Sequence, residues 1–436
     1  MKKITLDHIT KVEGHAEVNI SIRDGEVKKC QVVSVEGARY FESIIKGRKY
    51  DEITLITSRI CGICSCGHTI ASITAIEDAL QIKPTIQTEL LRELITIGER
   101  IRSHASHLYF FVLPDFLGFG SAIEMAKKYP EEVRNCLEMI RIGNELIQTI
   151  GGRDMHPFMG VVGGFTSIAE PEKFTKILSE LKNIIPLAEK TLKLFSSLEI
   201  PEYEKKDTVF ISLENHKTFP LHTGKIVSNT GLEFDPKDYK KFIAEYFEKD
   251  STANFAMIAG KEFMTGALAR CNNSLDKLSK NSQKFIKKLK GKHNFPSANL
   301  FLNSFAQAIE ILHWTERAIE ILDNNSFQAE EIAELDVCRI KGQKTQGISA
   351  IEVPRGILFH DYKFNEEGIL EEANIITPTV QNLAEMELSV RCYLNDILKK
   401  DPEKDKDELV LEIEKMVRAF DPCFSCSTHF LKVNWE

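Results

Sequence analysis

With 436 residues, of which 43% are hydrophobic and 28% charged, the chain can bury a large core and has the composition of a globular protein. The net charge of −8 comes from acids and bases that are mixed along the chain, which excludes a nucleic-acid-binding function. Charge returns within the first 11 residues, before a signal-peptide core could form, and no apolar stretch could span a bilayer, so we expect a cytoplasmic protein without a membrane span.

The chain begins with a predicted antiparallel sheet. Polar and apolar residues alternate between residues 3 and 35, and Asp24-Gly25 separates two such runs. Aspartate followed by glycine is a frequent hairpin turn, because both residues tolerate positive φ. The sequence therefore predicts a small N-terminal sheet.

Helices are predicted to dominate from residue 69 onward. Apolar residues recur there at three- and four-residue spacing, which is typical of a helix with one buried face. The predicted helices cover residues 69–82, 86–113, 131–150, 171–198, 237–249, 297–323 and 379–399. The apolar stretch 108–120 contains Pro114 and Asp115 and is predicted to be a buried segment.

Two further regions have the pattern of strands rather than helices. Residues 208–213 and 224–228 belong to the first region, between about 200 and 235, and the second region runs from 337 to 376. We interpret both as β insertions between helices. The predicted fold class is therefore mainly α with small β-sheets (α+β).

A single domain over residues 1–436 is expected, because no composition shift or linker divides the chain. Residues 1–68 would hold the N-terminal sheet and a first cysteine pair. Residues 69–400 would form a helical core with β insertions, and residues 401–436 a C-terminal segment with a second pair. The two pairs would thus lie near opposite ends of one folded unit.

Four of the ten cysteines form two Cys-x-x-Cys pairs, which favour metal or redox chemistry. The first pair lies in Arg-Ile-Cys-Gly-Ile-Cys-Ser-Cys-Gly-His at positions 59–68, and the second in Asp-Pro-Cys-Phe-Ser-Cys-Ser-Thr-His at positions 421–429. The other cysteines lack iron-sulfur spacing, apart from the closeness of one to the first pair. Most are expected to be small core residues: Cys30, Cys66, Cys136, Cys271, Cys338 and Cys392.

Two simpler explanations of the cysteine pairs are open at this point. The first explanation is a structural zinc site with four thiolates, since zinc is the usual metal for tetrahedral sulfur ligands. A redox dithiol is the second explanation, although neither pair opens a helix after a strand. Neither accounts for the further residues that the two motifs contain, which are Arg59, His68, Asp421 and His429.

The two motifs together resemble the signatures of nickel-iron hydrogenase large subunits, which are Arg-x-Cys-Gly-x-Cys-x-x-x-His near the start and Asp-Pro-Cys-x-x-Cys-x-x-His near the end. Further blocks are similar to family blocks in the same order. They are residues 12–15, 41–48, 152–157, 163–164, 266–270, 353–356 and 378–382. The resemblance extends along the chain and implies the fold that this family shares with the quinone-side subunit of respiratory complex I.

The resemblance implies a catalytic subunit that reversibly cleaves H2 into protons and electrons at a nickel-iron centre. Cys61 and Cys423 would be terminal nickel ligands, while Cys64 and Cys426 would bridge nickel to an iron that carries carbon monoxide and cyanide. Soft thiolates suit a nickel ion that changes oxidation state. Glu13 would carry the proton away from Cys423. Without the other motifs, Glu13 would be interpreted as a solvated glutamate in a turn.

Other residues match family positions around the metals. The resemblance implies that Arg355, which follows Pro354, lies over the open side of the metals and donates to one cyanide, a task that suits a fixed cation. Thr379 would donate to the other cyanide, and Asp421 would face the site. Alone, the Pro-Arg-Gly sequence would indicate a turn with an exposed arginine.

A magnesium ion is also implied by the resemblance. Glu42 and His429 match the family ligands, together with the backbone of Ile375, and a hard cation explains the use of a carboxylate. His68 is expected to orient Cys64 rather than to bind a metal.

Two departures from the family pattern narrow the resemblance. Ser103 stands where uptake-type enzymes have an acid. In this respect the chain resembles the cytoplasmic, cofactor-coupled branch of the family, which includes the sulfhydrogenases and the viologen- or deazaflavin-linked enzymes. Residues 430–436 follow His429, after which family members are usually cut once nickel is inserted. The sequence is therefore interpreted as a precursor form, and the alternative is that the tail remains.

Electrons are expected to leave through partners, because the remaining cysteines lack cluster spacing. The resemblance implies a heteromeric enzyme with an iron-sulfur small subunit, together with further electron-transfer subunits, and a maturation protease and nickel chaperones during assembly. The alternatives are a structural zinc protein and a non-catalytic relative of the complex I subunit. The latter lacks the four cysteines that this chain has.

Overall fold

The computed structural model describes residues 2–6, 9–38, 40–289, 293–333 and 343–428. Helices dominate this part of the chain and short strands form small separate sheets, so the predicted α+β class is confirmed. The α-helices are α1 (Phe41–Ile45), α2 (Tyr50–Thr57), α3 (Ser65–Leu80), α4 (Ile86–Ser106), α5 (Leu113–Phe116), α6 (Ala122–Ala126), α7 (Pro130–Gly151), α8 (Pro171–Ser197), α9 (Ala267–Ser274), α10 (Lys280–Lys288), α11 (Asn303–Asn324), α12 (Pro378–Lys400) and α13 (Lys406–Ala419).

The strands form separate sheets, and all pairs are antiparallel except β6 with β11. The strands are β1 (Lys2–Leu6), β2 (Ala16–Arg23), β3 (Glu26–Ser34), β4 (Gly160–Val161), β5 (Gly164–Phe165), β6 (Val209–Glu214), β7 (Lys225–Ser228), β8 (Glu233–Phe234), β9 (Ile243–Phe247), β10 (Asn254–Ile258), β11 (Phe263–Met264), β12 (Thr345–Val353), β13 (Gly356–Phe364) and β14 (Leu370–Ile376). Their orders are β1-β2-β3, β4-β5, β11-β6-β7-β8, β9-β10 and β12-β13-β14.

The N-terminal sheet has the predicted form. Strands β2 and β3 are joined by Asp24 and Gly25, which have φ angles of 55° and 76°. Two positive φ values in a two-residue hairpin match the right-handed twist of the strands. Along β2 buried residues alternate with more exposed ones, and Val18 and Ile20 belong to the main core.

A bundle of long helices forms the main core. Helix α4 packs against α7 and α11, and α8 also packs against α7 and α11. The helix predicted over 86–113 consists of α4, a π-helical segment (His107–Val112) and α5. The predicted buried segment is confirmed for Leu108, Leu113 and Asp115, whereas residues 116–120 are at least partly exposed. The wider π-helical turn lies where His107 approaches the C-terminal segment.

One predicted helix is wrong. Residues 237–249 were expected to be helical, but a 3-10 turn (Pro236–Lys241) is followed by β9, which pairs with β10. Phe242 and Tyr246 satisfy a helical period, yet Ile243, Tyr246 and Phe247 also suit a strand. Pairing with β10 therefore decides between two periodicities that the local sequence leaves equivalent.

The sheet β12-β13-β14 is more central than an insertion. It packs on α3, and its strands lie in the second predicted β region, of which residues 337–342 are outside the described residues. β12 and β13 meet in a tight turn in which Val353 pairs with Gly356. Gly356 has a φ of 136°, and a Cβ there would lie 2.3 Å from the Thr265 side chain, so glycine is required. This turn presents Pro354 and Arg355.

The contact between β3 and α12 is expected to depend on pH. Glu387 accepts a hydrogen bond from the backbone N of Val32 at 2.7 Å, and burial raises the pKa of Glu387 to about 7 from 4.5. Between these values the unfolded chain is ionised while the folded chain holds the proton, so stability falls as pH rises. We expect E387Q to raise the apparent Tm more at pH 8 than at pH 5, because glutamine keeps the acceptor oxygen but never ionises.

Thermal unfolding at the two pH values tests this contact. The control is E403Q, since Glu403 is exposed, and it should change Tm equally at both pH values. Equal Tm shifts for E387Q at pH 5 and pH 8 would contradict the prediction.

In the described residues, no helix combines the length and the apolar character that crossing a membrane requires.

Candidate metal centre

Four cysteine sulfurs meet in the interior of the protein. The Sγ atoms of Cys61, Cys64, Cys423 and Cys426 all lie within 4.8 Å of one another, and all four residues are buried. The Sγ atoms of Cys61 and Cys423 are 3.6 Å apart although 362 positions separate them in the sequence. Tertiary folding therefore brings the two predicted pairs into one cluster.

Local structure fixes each pair. Cys61 follows the 3-10 turn Ser58–Ile60, and Cys64 is the residue immediately before α3. The backbone N of Cys64 donates to Cys61 Sγ at 3.4 Å. The second pair follows α13, where a 3-10 turn (Ser425–Ser427) turns the chain back on itself.

The start of α3 is anchored by Glu99, which sequence reasoning missed. Its carboxylate accepts hydrogen bonds from the backbone N of Cys66 at 2.9 Å and of Gly67 at 3.1 Å. First-turn N–H groups have no partner within a helix, so Glu99 serves as a cap supplied from α4. Burial raises the pKa of Glu99 to about 8. Nothing in the local sequence links Glu99 to a helix that starts 34 residues earlier.

Glu13 lies directly beside the second pair, as the resemblance implies. Its Oε2 is 2.9 Å from Cys423 Sγ, and its Oε1 accepts a hydrogen bond from Ser425 Oγ at 2.7 Å. The Glu13 carbonyl also accepts from the Phe424 backbone N at 2.8 Å. Gly14 makes this approach possible, since a Cβ there would lie 2.8 Å from the backbone N of Ser425.

Arg355 is buried and contacts both cysteine motifs, so the turn that its local sequence suggests is formed but is not exposed. Its Nη1 donates to Cys64 Sγ at 3.1 Å, and its Nε donates to the Asp421 carbonyl at 2.8 Å. Its Nη2 is 3.1 Å from Asp421 Oδ1. Burial alone would lower the pKa of Arg355, but the charge of Asp421 and the cysteine sulfurs holds that pKa well above its usual value. Arg355 therefore stays a cation against the sulfurs.

Asp421 is itself held by two residues that sequence reasoning missed. Gln307 donates from Nε2 to Asp421 Oδ2 at 2.9 Å, and His107 Nε2 lies 3.8 Å from Asp421 Oδ1. Gln307 and His107 also contact each other at 2.6 Å. Asp421 has a φ of 51°, a costly conformation for a residue other than glycine, and these contacts hold it there.

The remaining predicted positions are arranged as follows. Thr379 Oγ1 accepts a hydrogen bond from the Cys423 backbone N at 2.9 Å and lines the small cavity beside Cys423 and Cys426. Pro354 precedes Arg355 in the turn, and its carbonyl faces Arg270. Ser103 is buried, and its Oγ has no hydrogen-bond partner among the described atoms.

The residues predicted to bind magnesium are partly described. Glu42 Oε1 accepts a hydrogen bond from the Ile375 backbone N at 2.6 Å, so α1 and β14 meet there. Burial raises the pKa of Glu42 to about 8. His429 and the tail 430–436 lie outside the described residues. His68 contacts His360 through its Nδ1 at 3.1 Å and donates from its backbone N to the Cys64 carbonyl at 3.1 Å.

Most other cysteines are core residues, as predicted. Cys392 is half-buried, and Cys338 is outside the described residues. The buried ones are Cys30, Cys66, Cys136 and Cys271. Among the described residues, only the four-cysteine cluster groups three or more side chains that could hold a metal.

The donor set fits a metal that prefers sulfur. With metal–sulfur bonds of about 2.3 Å, tetrahedral geometry would place sulfurs roughly 3.8 Å apart. The Sγ atoms of Cys61 and Cys423 are 3.6 Å apart, close to that value, while those of Cys423 and Cys426 are closer, at 2.7 Å. Hydrogen bonds with the neighbouring thiols, most of all with Cys423, lower the pKa values of Cys61 and Cys64. Burial raises the pKa values of Cys423 and Cys426 well above the usual value for a thiol. A bound cation would favour the thiolate form of all four. Beside the sulfurs, Glu13 could move a proton.

Comparison with known proteins identifies the family. The family model described as "Nickel-dependent hydrogenase" matches residues 39–135 and 237–429. The alpha chain of sulfhydrogenase 1 from Pyrococcus furiosus is 36% identical over 431 residues, which cover 99% of this chain and 98% of that protein. The alpha chain of sulfhydrogenase 2 from the same organism is 32% identical over 441 residues, covering 99% of this chain and 100% of that protein.

Solved structures have the same fold. An NAD+-reducing NiFe-hydrogenase in the H2-reduced state superposes with a TM-score of 0.85 at 24% identity, covering 98% of this chain and 100% of that one. An H2-activated NiFeSe-hydrogenase of Dm. baculatum has a TM-score of 0.75 at 22% identity, with the same coverage. Together with the buried four-cysteine cluster, these findings show that the chain belongs to the nickel-dependent hydrogenase family, as a catalytic large subunit.

Proposed function

We propose that the four cysteine sulfurs of this hydrogenase subunit would hold the nickel-iron centre, Cys61 and Cys423 as ligands of nickel and Cys64 and Cys426 as ligands of both metals. The mutual approach of the four sulfurs within 4.8 Å supports this assignment. Thiolates are soft, polarizable ligands, and they suit nickel better than the hard oxygen ligands that magnesium prefers.

The nickel-iron centre, when bound, supplies the polarisation that splits H2 heterolytically. Cys423 Sγ accepts the proton, and Glu13 Oε2 takes it over a distance of 2.9 Å. Ser425 donates to the other oxygen of Glu13 and so keeps Oε2 turned towards the sulfur. A carboxylate positioned within hydrogen-bond reach is the geometry that general acid–base catalysis requires.

Arg355 keeps a permanent positive charge beside Cys64, and Asp421 fixes its orientation. We infer that its guanidinium donates to a cyanide on iron and that Thr379, which lines the same small cavity, donates to the second cyanide. Carbon monoxide would be the remaining diatomic ligand of the iron. Charged groups that are preorganised in a dry site stabilise developing charge without reorganising.

Magnesium is proposed to bind at Glu42, the backbone of Ile375 and His429. Glu42 is half-buried and its carboxylate lies beside Ile375, where a divalent cation would compensate for the loss of hydration that raises its pKa. We expect E42Q to lose the magnesium that the wild-type complex retains after gel filtration with a chelator, as measured by elemental analysis. E52Q is the control, because Glu52 is exposed and pairs with Arg48. Equal magnesium in E42Q and the wild type would contradict the site.

Large subunits of this family pair with an iron-sulfur small subunit. We propose that electrons reach it directly, because the described cysteines outside the cluster are dispersed through the core. Further electron-transfer subunits, a maturation protease and nickel chaperones complete the proposed set of partners.

The similarity to the two sulfhydrogenase chains supports an assignment to the cytoplasmic, cofactor-coupled branch. We also propose that residues 1–436 act as one domain, since both ends contribute to the site.

Elemental analysis combined with infrared spectroscopy of the purified native complex tests the proposed centre. The expected result is nickel and iron together with the stretching bands of metal-bound carbon monoxide and cyanide. Zinc alone, without such bands in protein that has been exposed to its maturation machinery, would overturn the proposal and leave the four cysteines with a structural role.

A further inference from the structure

A buried cluster of charges lies behind the turn that carries Arg355. Its members are Arg100, Arg270, Glu310 and Glu352, and their side chains are completely inaccessible to solvent. Arg270 Nη2 donates to Glu310 Oε2 at 2.8 Å, and Arg270 Nη1 donates to Glu352 Oε2 at 2.7 Å. Arg100 Nη1 donates to Glu310 at 3.1 Å. We call this group the buried ion cluster.

The two arginines also bind three consecutive backbone carbonyls. Arg100 Nη2 donates to the Glu352 carbonyl at 2.7 Å. Arg270 donates to the Val353 carbonyl at 3.1 Å and to the Pro354 carbonyl at 2.9 Å. The next residue in the chain is Arg355. The backbone that leads into the turn is therefore fixed by charged side chains on α4 and α9.

Stability alone is a poor explanation of this arrangement. Removing four charges from water is costly, and buried ion pairs can often be replaced by well-packed apolar residues without loss of stability. The cluster does provide direction, because a planar guanidinium has donors in fixed positions that can satisfy two carboxylates and two carbonyls together. A lysine ammonium at position 270 could not reproduce that set of contacts.

We propose that Arg270, assisted by Arg100, is a positioning residue that holds the backbone of residues 352–354 so that the Arg355 guanidinium lies against Cys64 Sγ. This inference rests on the proposed role of Arg355. The rigid backbone is needed because Arg355 must contact Cys64 Sγ and Asp421 at the same time. A displaced turn would move the fixed positive charge away from the sulfurs.

The test compares R270K with R92K in the assembled, metal-loaded complex. Arg92 is a matched control, because it is also buried, forms a two-point pair with Glu77 and donates to a carbonyl, that of Val161. We expect hydrogen–deuterium exchange in residues 352–357 to become about tenfold faster in R270K, since one or two hydrogen bonds of ordinary strength have that effect on an opening equilibrium. R92K should leave exchange in these residues unchanged.

Infrared spectra provide the second measurement. The cyanide and carbon monoxide bands of R270K should shift in the same direction as those of R355K, while the bands of R92K stay in place. Unchanged exchange in residues 352–357 together with unshifted bands in R270K would overturn the inference. If R270K does not assemble, E352Q replaces it, because glutamine keeps the side-chain shape but has one acceptor oxygen for the two donors, Arg270 Nη1 and the Leu213 backbone N, that Glu352 now accepts from. Faster exchange in E352Q would support the inference, and wild-type exchange would overturn it.

The same experiment separates this inference from the proposed function. If the wild-type complex had no infrared bands, or if R355K left bands and turnover unchanged, the proposed centre or the proposed role of Arg355 would fail. Exchange in residues 352–357 would still report whether Arg270 holds the turn. If exchange in residues 352–357 is faster in R270K while R355K has wild-type bands and turnover, Arg270 does hold the turn. Only the proposed function of the Arg355 guanidinium would then be rejected.

Discussion

A C423S variant is expected to lose its nickel and with it all measurable hydrogen turnover. Cys423 Sγ lies at the centre of the site, 3.6 Å from Cys61 Sγ and 2.9 Å from Glu13 Oε2. A serine hydroxyl is harder and far less acidic than a thiol, so it does not replace a thiolate that binds nickel. Elemental analysis and a hydrogen-uptake assay on the purified complex measure both effects.

C66A is the matched control for this loss. Cys66 is also a buried thiol and lies two positions after Cys64, but it belongs to the main core and not to the four-sulfur cluster. Burial raises the pKa of Cys66 well above its usual value, so it remains a neutral thiol. C66A should retain nickel and turnover. Equal nickel contents in C423S and C66A would show that the sulfur cluster is not the nickel site.

An E13Q variant is expected to keep its nickel but to lose roughly 10²- to 10⁴-fold in hydrogen turnover, which is the usual contribution of a positioned acid–base group. Glutamine has nearly the same shape and can still accept the hydrogen bond from Ser425. It cannot take up a proton from Cys423. The predicted loss therefore isolates proton transfer from metal binding.

The measurement compares turnover and infrared bands in E13Q and E36Q. Glu36 pairs with His15 at the surface and not with Cys423, so E36Q should behave like the wild type. Unchanged bands with greatly reduced turnover in E13Q would agree with a relay. Turnover near the wild-type level in E13Q would mean that the proton leaves Cys423 by another route.

The site could be predicted from the sequence where short motifs carry the chemistry. The cysteine motifs and Glu13 are recognisable because their neighbours have fixed spacing, and the structure brings them together as a hydrogenase resemblance implies. Glu99, Gln307 and Arg270 could not be found in this way. Each acts through a contact with a distant segment, and only the packing of α4, α9 and α11 brings it to the segments that carry the cysteines or Arg355.

The fold was predictable where periodicity was unambiguous. Long amphipathic helices such as α7 and α8 match the predicted spans within a residue or two. The helix predicted over 237–249 failed because its central residues obey both periods and a neighbouring strand selects one of them. The burial of Arg355 could be expected from the family resemblance but not from its local sequence, since a proline-arginine-glycine turn is more often exposed.

The meeting of two distant cysteine pairs also makes the bound centre a cross-link. A link between Cys61 and Cys423 that persisted in the unfolded chain would close a loop of 362 residues, which the chain-entropy treatment of cross-links values at roughly 6 kcal/mol. That amount is comparable to the whole folding stability of many proteins. Metal insertion would therefore raise the free energy of unfolding. The metal-loaded protein would resist unfolding and proteolysis under conditions in which the metal-free protein unfolds.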